Sequence, residues 1–169
     1  PITTALDPKY GGGYIIPYTW NGRIQNIGIE NLSCISEYDK TILKDEAHSW
    51  VGITMDNVQD AWVRNITFKH FAGSAVTVLE GGKRITVENC KALAPISEIG
   101  GQRRYTFFTS GQQTLFQRLY SEDGYHDFAV GYTSAGPNAF VQCQSELPHS
   151  FSGGVESWAS GALFDIVNV

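Results

Sequence analysis

No apolar run in the 169 residues approaches the roughly 20 needed to cross a bilayer, so no membrane span is expected. Basic residues are scarce: 12 Lys and Arg stand against 17 Asp and Glu, a net charge of −5. Phosphate binding needs a basic face, so no nucleic-acid partner is expected. The compact basic clusters, Lys83-Arg84 and Arg103-Arg104, suffice only for a local anion contact. Three cysteines, Cys34, Cys90 and Cys143, form no even disulfide framework and read as buried apolar fillers. Helical spacing of apolar residues nowhere persists over three turns, which excludes a helical fold. Sets of Cys and His at zinc-ligand spacing and Asp-rich calcium loops are also missing, so no metal or cofactor is expected.

What is present is a repeat. Asn31, Asn65, Asn89, Arg118, Gln142 and Asp165 form one column, with steps of 34, 24, 29, 24 and 23 residues. Two positions before them lie Ile29, Val63, Val87, Phe116, Phe140 and Leu163. One position after them lie Leu32, Ile66, Cys90, Leu119, Cys143 and Ile166. All twelve flanking positions are apolar in a chain that is 42% hydrophobic. The pattern predicts a strand, a sharp corner and a second strand, with one apolar side chain turned inward on each side of the corner. Asn and Asp tolerate the left-handed backbone such a corner needs.

Another strand per repeat is predicted at Val51–Met55, Ala75–Leu79, Tyr105–Phe108, Phe128–Tyr132 and Gly153–Ser157. Val76, Tyr105 and Phe128 align there as an inward column, which makes Ala75, Arg104 and Asp127 outward neighbours. Such coils cannot bury their apolar sides alone, so they stack. The expected fold is an all-β, right-handed parallel β-helix of about six coils. It forms a single segment over 1–169, with a leading segment 1–22 and stacked coils over 23–169. The last residues, Leu163–Val169, read as a strand without a cap, so the remaining coils of a longer chain are an expected partner. The long steps hold insertions near Glu37–Ser49 and Ala94–Arg103, and insertions on a solenoid often build its binding site.

The coil pattern, with Trp62-Val63-Arg64-Asn65-Ile66-Thr67-Phe68 and Ile85-Thr86-Val87-Glu88-Asn89-Cys90, resembles the pectate-lyase-like β-helix superfamily over Ile24 to Val169. The blocks Gly124-Tyr125-His126-Asp127-Phe128, Gly136-Pro137-Asn138-Ala139-Phe140 and Trp158-Ala159-Ser160-Gly161 look like a motif of bacterial members. The resemblance implies polysaccharide lyases and glycoside hydrolases, but also esterases, epimerases and phage tailspikes. It implies a secreted, periplasmic or cell-surface location. The sequence shows neither the polygalacturonase nor the pectate lyase arrangement of carboxylates. A lyase of this superfamily often uses calcium, whose ligands here would bridge coils or lie outside the sequence.

Several side chains are candidates for carbohydrate chemistry. His126 and Asp127, beside Glu122 and Asp123, crowd titratable groups at a strand mouth, where acid–base work is done. Arg104 is placed to pair with Asp127 on the adjacent coil. Glu156 is a second carboxylate, although counting along the strands sets it roughly 13 Å from Asp127, beyond the separation a glycosidase pair needs. Arg103 and Arg104 carry forks that suit a sugar carboxylate, with Glu98 and His149 as further substrate contacts. Trp158 and Tyr132 can stack on a sugar ring. For each, a surface ion pair, a solvated turn or a packed aromatic is the plain alternative. The expected activity is glycoside hydrolysis of a pectin-like or other acidic polysaccharide, with a lyase or a non-catalytic glycan-binding shaft as alternatives.

Overall fold

A computed structural model describes Lys9, residues 16–156 and residues 158–169. Of the leading segment 1–22, residues 1–8 and 10–15 lie outside the described residues, as does Ser157 at the end of the last expected strand. The first seven strands are β1 (Ile24–Gln25), β2 (Gly28–Ile35), β3 (Val51–Met55), β4 (Val58–Lys69), β5 (Ser74–Val78), β6 (Lys83–Glu88) and β7 (Lys91–Leu93). There follow β8 (Phe107–Thr109), β9 (Gln112–Gln117), β10 (Tyr120–Glu122), β11 (Phe128–Gly131), β12 (Ala135–Glu146), β13 (Gly153–Val155) and β14 (Ser160–Asn168). The chain is all-β, with no α-helix among the described residues.

The strands form two parallel sheets. Sheet A runs β1-β4-β6-β9-β12-β10-β7, with β2 added on β4 and β14 on β12; sheet B runs β13-β11-β8-β5-β3. Register follows the repeat. Val63 pairs with Val87, Val87 with Phe116, Phe116 with Phe140, and Phe140 with Phe164. The first four are wholly buried. Phe116, Phe140 and Phe164 stack nearly parallel, with centroids 4.6 and 5.2 Å apart. On sheet B, Phe107 stacks on Phe128 at 6.1 Å. Like side chains fall in line because each pass of the chain repeats the pattern, and their contact removes apolar area from water at about 25 cal/mol per Å².

The corners are left-handed. Asn31, Asn65, Asn89, Arg118 and Gln142 all take φ between 52° and 59°. The sixth corner corrects the sequence expectation: register places Ile166 opposite Gln142, and Ile166, not Asp165, takes φ 53°. Phe164 and Val167 therefore pack against the core, while Leu163 and Ile166 are over half exposed. The misplacement arises because Leu163-Phe164 and Ile166-Val167 are both apolar pairs, so either register satisfies a hydrophobic pattern. Two more left-handed columns flank this one: Asn26, Asp60, Arg84 and Gln113 at the start of the sheet A strands, and His70, Ala94, Asp123 and Leu147 after the corner. Neighbours in a column join across passes, as in Asn65 Nδ2 to Asn31 Oδ1 at 3.2 Å and Arg118 Nε to Asn89 Oδ1 at 2.7 Å.

Sheet B carries a second correction. Val76 pairs with Phe107, and Phe107 with Phe128, so Phe107 is the inward residue and Tyr105 is not. Tyr105 belongs to a separate cluster with Phe108, Ala129 and Val155. Sequence spacing alone could not separate Tyr105 from Phe107, which lie two apart with the same alternation. The cysteines are free; Cys90 and Cys143 are buried in the column after the corner. Burial pushes the Cys90 thiol up to about 11, so it stays protonated and unreactive.

A β-branched residue in left-handed geometry costs about 1–2 kcal/mol. Ile166→Asn is therefore expected to stabilise the protein by about 1 kcal/mol, read as a rise in the urea midpoint. A fall would place Ile166 in an ordinary strand conformation.

Candidate functional site

The two insertions dock on each other. Glu46 on the first grips Arg103 on the second through both carboxylate oxygens, one bond being 2.8 Å. The guanidinium also sits 5.6 Å over the Trp50 ring. Arg103 holds the Glu46 carboxyl below its ordinary range. Lys44 meets Glu98 at 2.7 Å, and His48 Nε2 lies 3.0 Å from both the Asp45 and Ile96 carbonyls, so it donates. Residues 37–49 and 94–103 thus form one ledge beside sheet B. Arg103 and Glu98 are parts of that ledge.

Arg104 does not pair with Asp127. Its side chain is 7% exposed and its Nη1 meets Asp123 Oδ2 at 2.9 Å. Nε donates to Ser97 Oγ at 3.1 Å and Nη2 to the Ser97 carbonyl at 2.8 Å. The reason is the two-residue slip on sheet B. Thr106, not Arg104, stands beside Asp127, with Thr106 Oγ1 3.3 Å from Asp127 Oδ1. Asp123 also bonds the exposed His149, so His149, Asp123 and Arg104 make one clamp between the second insertion and the turn before β11.

Asp127 faces inward. It is wholly buried, and its Oδ1 accepts from the hydroxyl of Ser121, whose register partners are Ala92 and Ser145. Gly124 lies so close that an added Cβ would strike the Asp127 carboxylate. Oδ2 has no hydrogen-bond partner, nor has the nearby Ser145 Oγ; Ser145 favours the carboxylate electrostatically without closing a bond. Burial pushes the Asp127 carboxyl up from its ordinary value, against the pull of the Ser121, Ser145 and Thr106 hydroxyls. The side chain expected to face a substrate is a buried strut. Asn138 plays a comparable part in its block, joining Thr114, Ser134 and the Gly111 carbonyl through four hydrogen bonds of 2.8–3.1 Å.

His126 is 5% exposed. Its Nδ1 donates to the Phe151 carbonyl at 2.6 Å, since a carbonyl can only accept. Three rings enclose it: Tyr105 at 4.7 Å, Tyr125 at 4.5 Å and Phe151 at 4.6 Å between centroids. Tyr105 continues to Phe108 at 6.0 Å, and Phe108 to Tyr132 at 5.6 Å. The result is a continuous aromatic ribbon over the outer face of sheet B.

Glu156 lies at the far end of that ribbon. Register pairs Gly131 with Val155, which sets Glu156 beside Tyr132; both take left-handed geometry. Burial raises the Tyr132 phenol and the adjacent Glu156 carboxylate raises it further. Tyr105 is raised by burial first, then by Tyr132 and Glu156. Both phenols therefore remain donors at neutral pH. Gln102 Nε2 reaches Tyr132 Oη at 3.3 Å. Trp158 is 75% exposed and also left-handed. The structure thus gathers Glu156, Tyr132 and Tyr105 and leaves Asp127 inside. Tyr125, Phe108 and Gln102 were missed by sequence reasoning; the one available signal was Phe108, an aromatic at an outward position of sheet B, whereas Tyr125 and Gln102 lie outside its strands.

A cavity lined by Phe68, Phe71, Ala75, Ala92 and Arg104 holds about 20 Å³, room for one water and no sugar. Among the described residues no group of three or more His, Cys, Asp or Glu is placed to hold a metal ion. Comparison of the chain with protein-family models, curated proteins and solved structures finds no match.

Because the folded carboxyl of Asp127 binds its proton more tightly than the unfolded one, ionising it costs stability. That cost begins as pH rises above about 3.9, the unfolded value, and grows until pH passes the raised folded value. Asp127→Asn removes the titration and supplies an amide donor for Ser145. The variant's Tm minus the wild-type Tm is expected to be a few degrees higher at pH 7 than at pH 4. A flat or reversed difference would mean the carboxylate is not desolvated.

Proposed function

We propose that this chain is a segment of a right-handed parallel β-helix of the pectate-lyase-like kind, and that it is carbohydrate-active, binding a glycan for hydrolysis on the outer face of sheet B. Support for the architecture is the in-register parallel stacking of both sheets about three columns of left-handed corners. Support for the activity is one observation above the rest: a partly exposed tyrosine, Tyr132, beside an exposed carboxylate, Glu156, at the end of an aromatic ribbon. Apolar ring faces pack on the C–H face of a sugar, while a carboxylate accepts from its hydroxyls. The rigid sheet beneath fixes their spacing, and the docked insertions raise one wall.

Glu156 is the carboxylate this proposal puts in contact with the sugar. His126 acts through Tyr105 and Tyr125 by fixing their rings, and Asp127 holds the turn from within. A secreted or cell-surface setting, with further coils of a longer chain, belongs to the same proposal. Binding without cleavage is the second reading. It is favoured by the burial of Asp127 and His126, which leaves Glu156 as the exposed member of the three groups expected to be catalytic.

The test is a panel of soluble polysaccharides, with reducing ends and ultraviolet absorbance followed together. Hydrolysis predicts new reducing ends without absorbance from a C=C bond. Glu156→Gln is expected to lower that rate about 100-fold or more, as loss of an acid–base group does. Saturable binding with no product supports the second reading. Neither binding nor product on any polysaccharide would end both.

A further inference from the structure

The sequence points to an acidic polysaccharide because of Arg103 and Arg104, and the structure removes that reason. We infer that the glycan taken by the sheet B face carries no carboxylate, and that a uronate polymer is rejected there. This inference rests on the carbohydrate-binding proposal and narrows its substrate.

The two guanidinium forks that would clamp a sugar carboxylate are already committed. Arg103 spends both its Nε and Nη2 on Glu46 and lies against Trp50. Arg104 is 7% exposed at its side chain and gives its three nitrogens to Ser97, the Asp123 carbonyl and the Asp123 carboxylate. Lys44, a further cation of the ledge, is held by Glu98, while Lys40 lines a separate hollow with Ile35, Tyr38 and His70. Releasing any of these for a ligand would strand a carboxylate, and for Arg104 it would open a buried network.

What the face presents instead is a hydroxyl-reading set. Glu156 is an exposed acceptor carrying negative charge, the Tyr132 phenol is a donor, and Gln102 is a neutral amide in contact with that phenol. A sugar hydroxyl pairs well with each. A uronate carboxylate brought to about 4 Å from Glu156 meets a like charge, at a penalty of roughly tenfold or more in affinity at surface dielectric. The net charge of −5 works in the same direction. The chemistry also bears on reaction class. Elimination at a glycosidic bond draws on a proton made acidic by the sugar's own carboxylate, so a glycan that lacks one is cleaved by hydrolysis.

The experiment is titration calorimetry of the protein with three hexasaccharides: cellohexaose, chitosan hexamer and oligogalacturonate, at low and at physiological salt. Cellohexaose is expected to bind at least tenfold more tightly than oligogalacturonate at low salt. Glu156→Gln should narrow that gap several-fold by relieving the repulsion. Tyr132→Ala should weaken cellohexaose about three- to tenfold, the size of one lost ring contact, while Tyr132→Phe stays within about threefold, which separates ring stacking from misfolding. Chitosan hexamer binding no more tightly than oligogalacturonate would overturn the charge assignment, since a cation must be favoured beside Glu156. Oligogalacturonate binding tightest, yet still weakened by Tyr132→Ala, would also overturn it while leaving the site in place. Failure of all three glycans to bind, with Tyr132→Ala silent, would remove the site and the inference together.

Discussion

The structure depends on one backbone constraint: a residue forced into left-handed geometry at the same point of each pass, flanked by side chains that must go inward. Left-handed backbone is unfavourable for most side chains, by about 1–2 kcal/mol. It survives here because the bend delivers Val63, Val87, Phe116 and Phe140 to one side of the corner and Ile66, Cys90, Leu119 and Cys143 to the other, all essentially without solvent contact. Burial of a single such side chain is worth about 1.5–3 kcal/mol, so the core outweighs the bend. Once one pass is bent, the next is held to it by parallel hydrogen bonds, and register propagates along the stack. Side-chain bonds within the columns, such as Arg84 to Asp60 at 2.6 and 2.7 Å, add modest support at the surface.

That constraint also settles what lies outside. Because the interior takes one alternate set of side chains on sheet B, the other set is delivered to a common outer face. Phe108 and Ala129 are neighbours there by register alone. The ledge built from the two insertions then brings Tyr105 and Gln102 to the same face. Buried hydroxyls around Asp127 and the amide of Asn138 serve the other side of the same logic, tying passes together where a turn must close.

Much of the fold was legible because a repeat states its constraint several times. Five corner positions, Asn31 through Gln142, were identifiable from flanking apolar residues, and each is left-handed. Ile166 was missed because consecutive apolar pairs make the last pass ambiguous by one residue. The two insertions were visible as long steps, but their mutual docking was not, since nothing in sequence distance ties Glu46 to Arg103. The site was read through a two-residue slip. Placing Tyr105 where Phe107 belongs paired Asp127 with Arg104 instead of Thr106, and Asp127 sits in the turn before β11, where strand alternation does not reach; the structure buries it on Ser121 and gives Arg104 to Asp123. Short strands of three or four residues, such as β8 and β11, carry too few alternations to fix register unaided.

The central claim is that successive passes lie parallel and in register about the left-handed corners. Solution NMR of the isotope-labelled protein tests it most directly, through amide-to-α-proton contacts between strands. The account predicts a chain of such contacts connecting Val63, Val87, Phe116 and Phe140 in that order, with left-handed carbon shifts at Asn65, Asn89, Arg118 and Gln142. Antiparallel contact patterns, or ordinary strand shifts at those four corners, would contradict it.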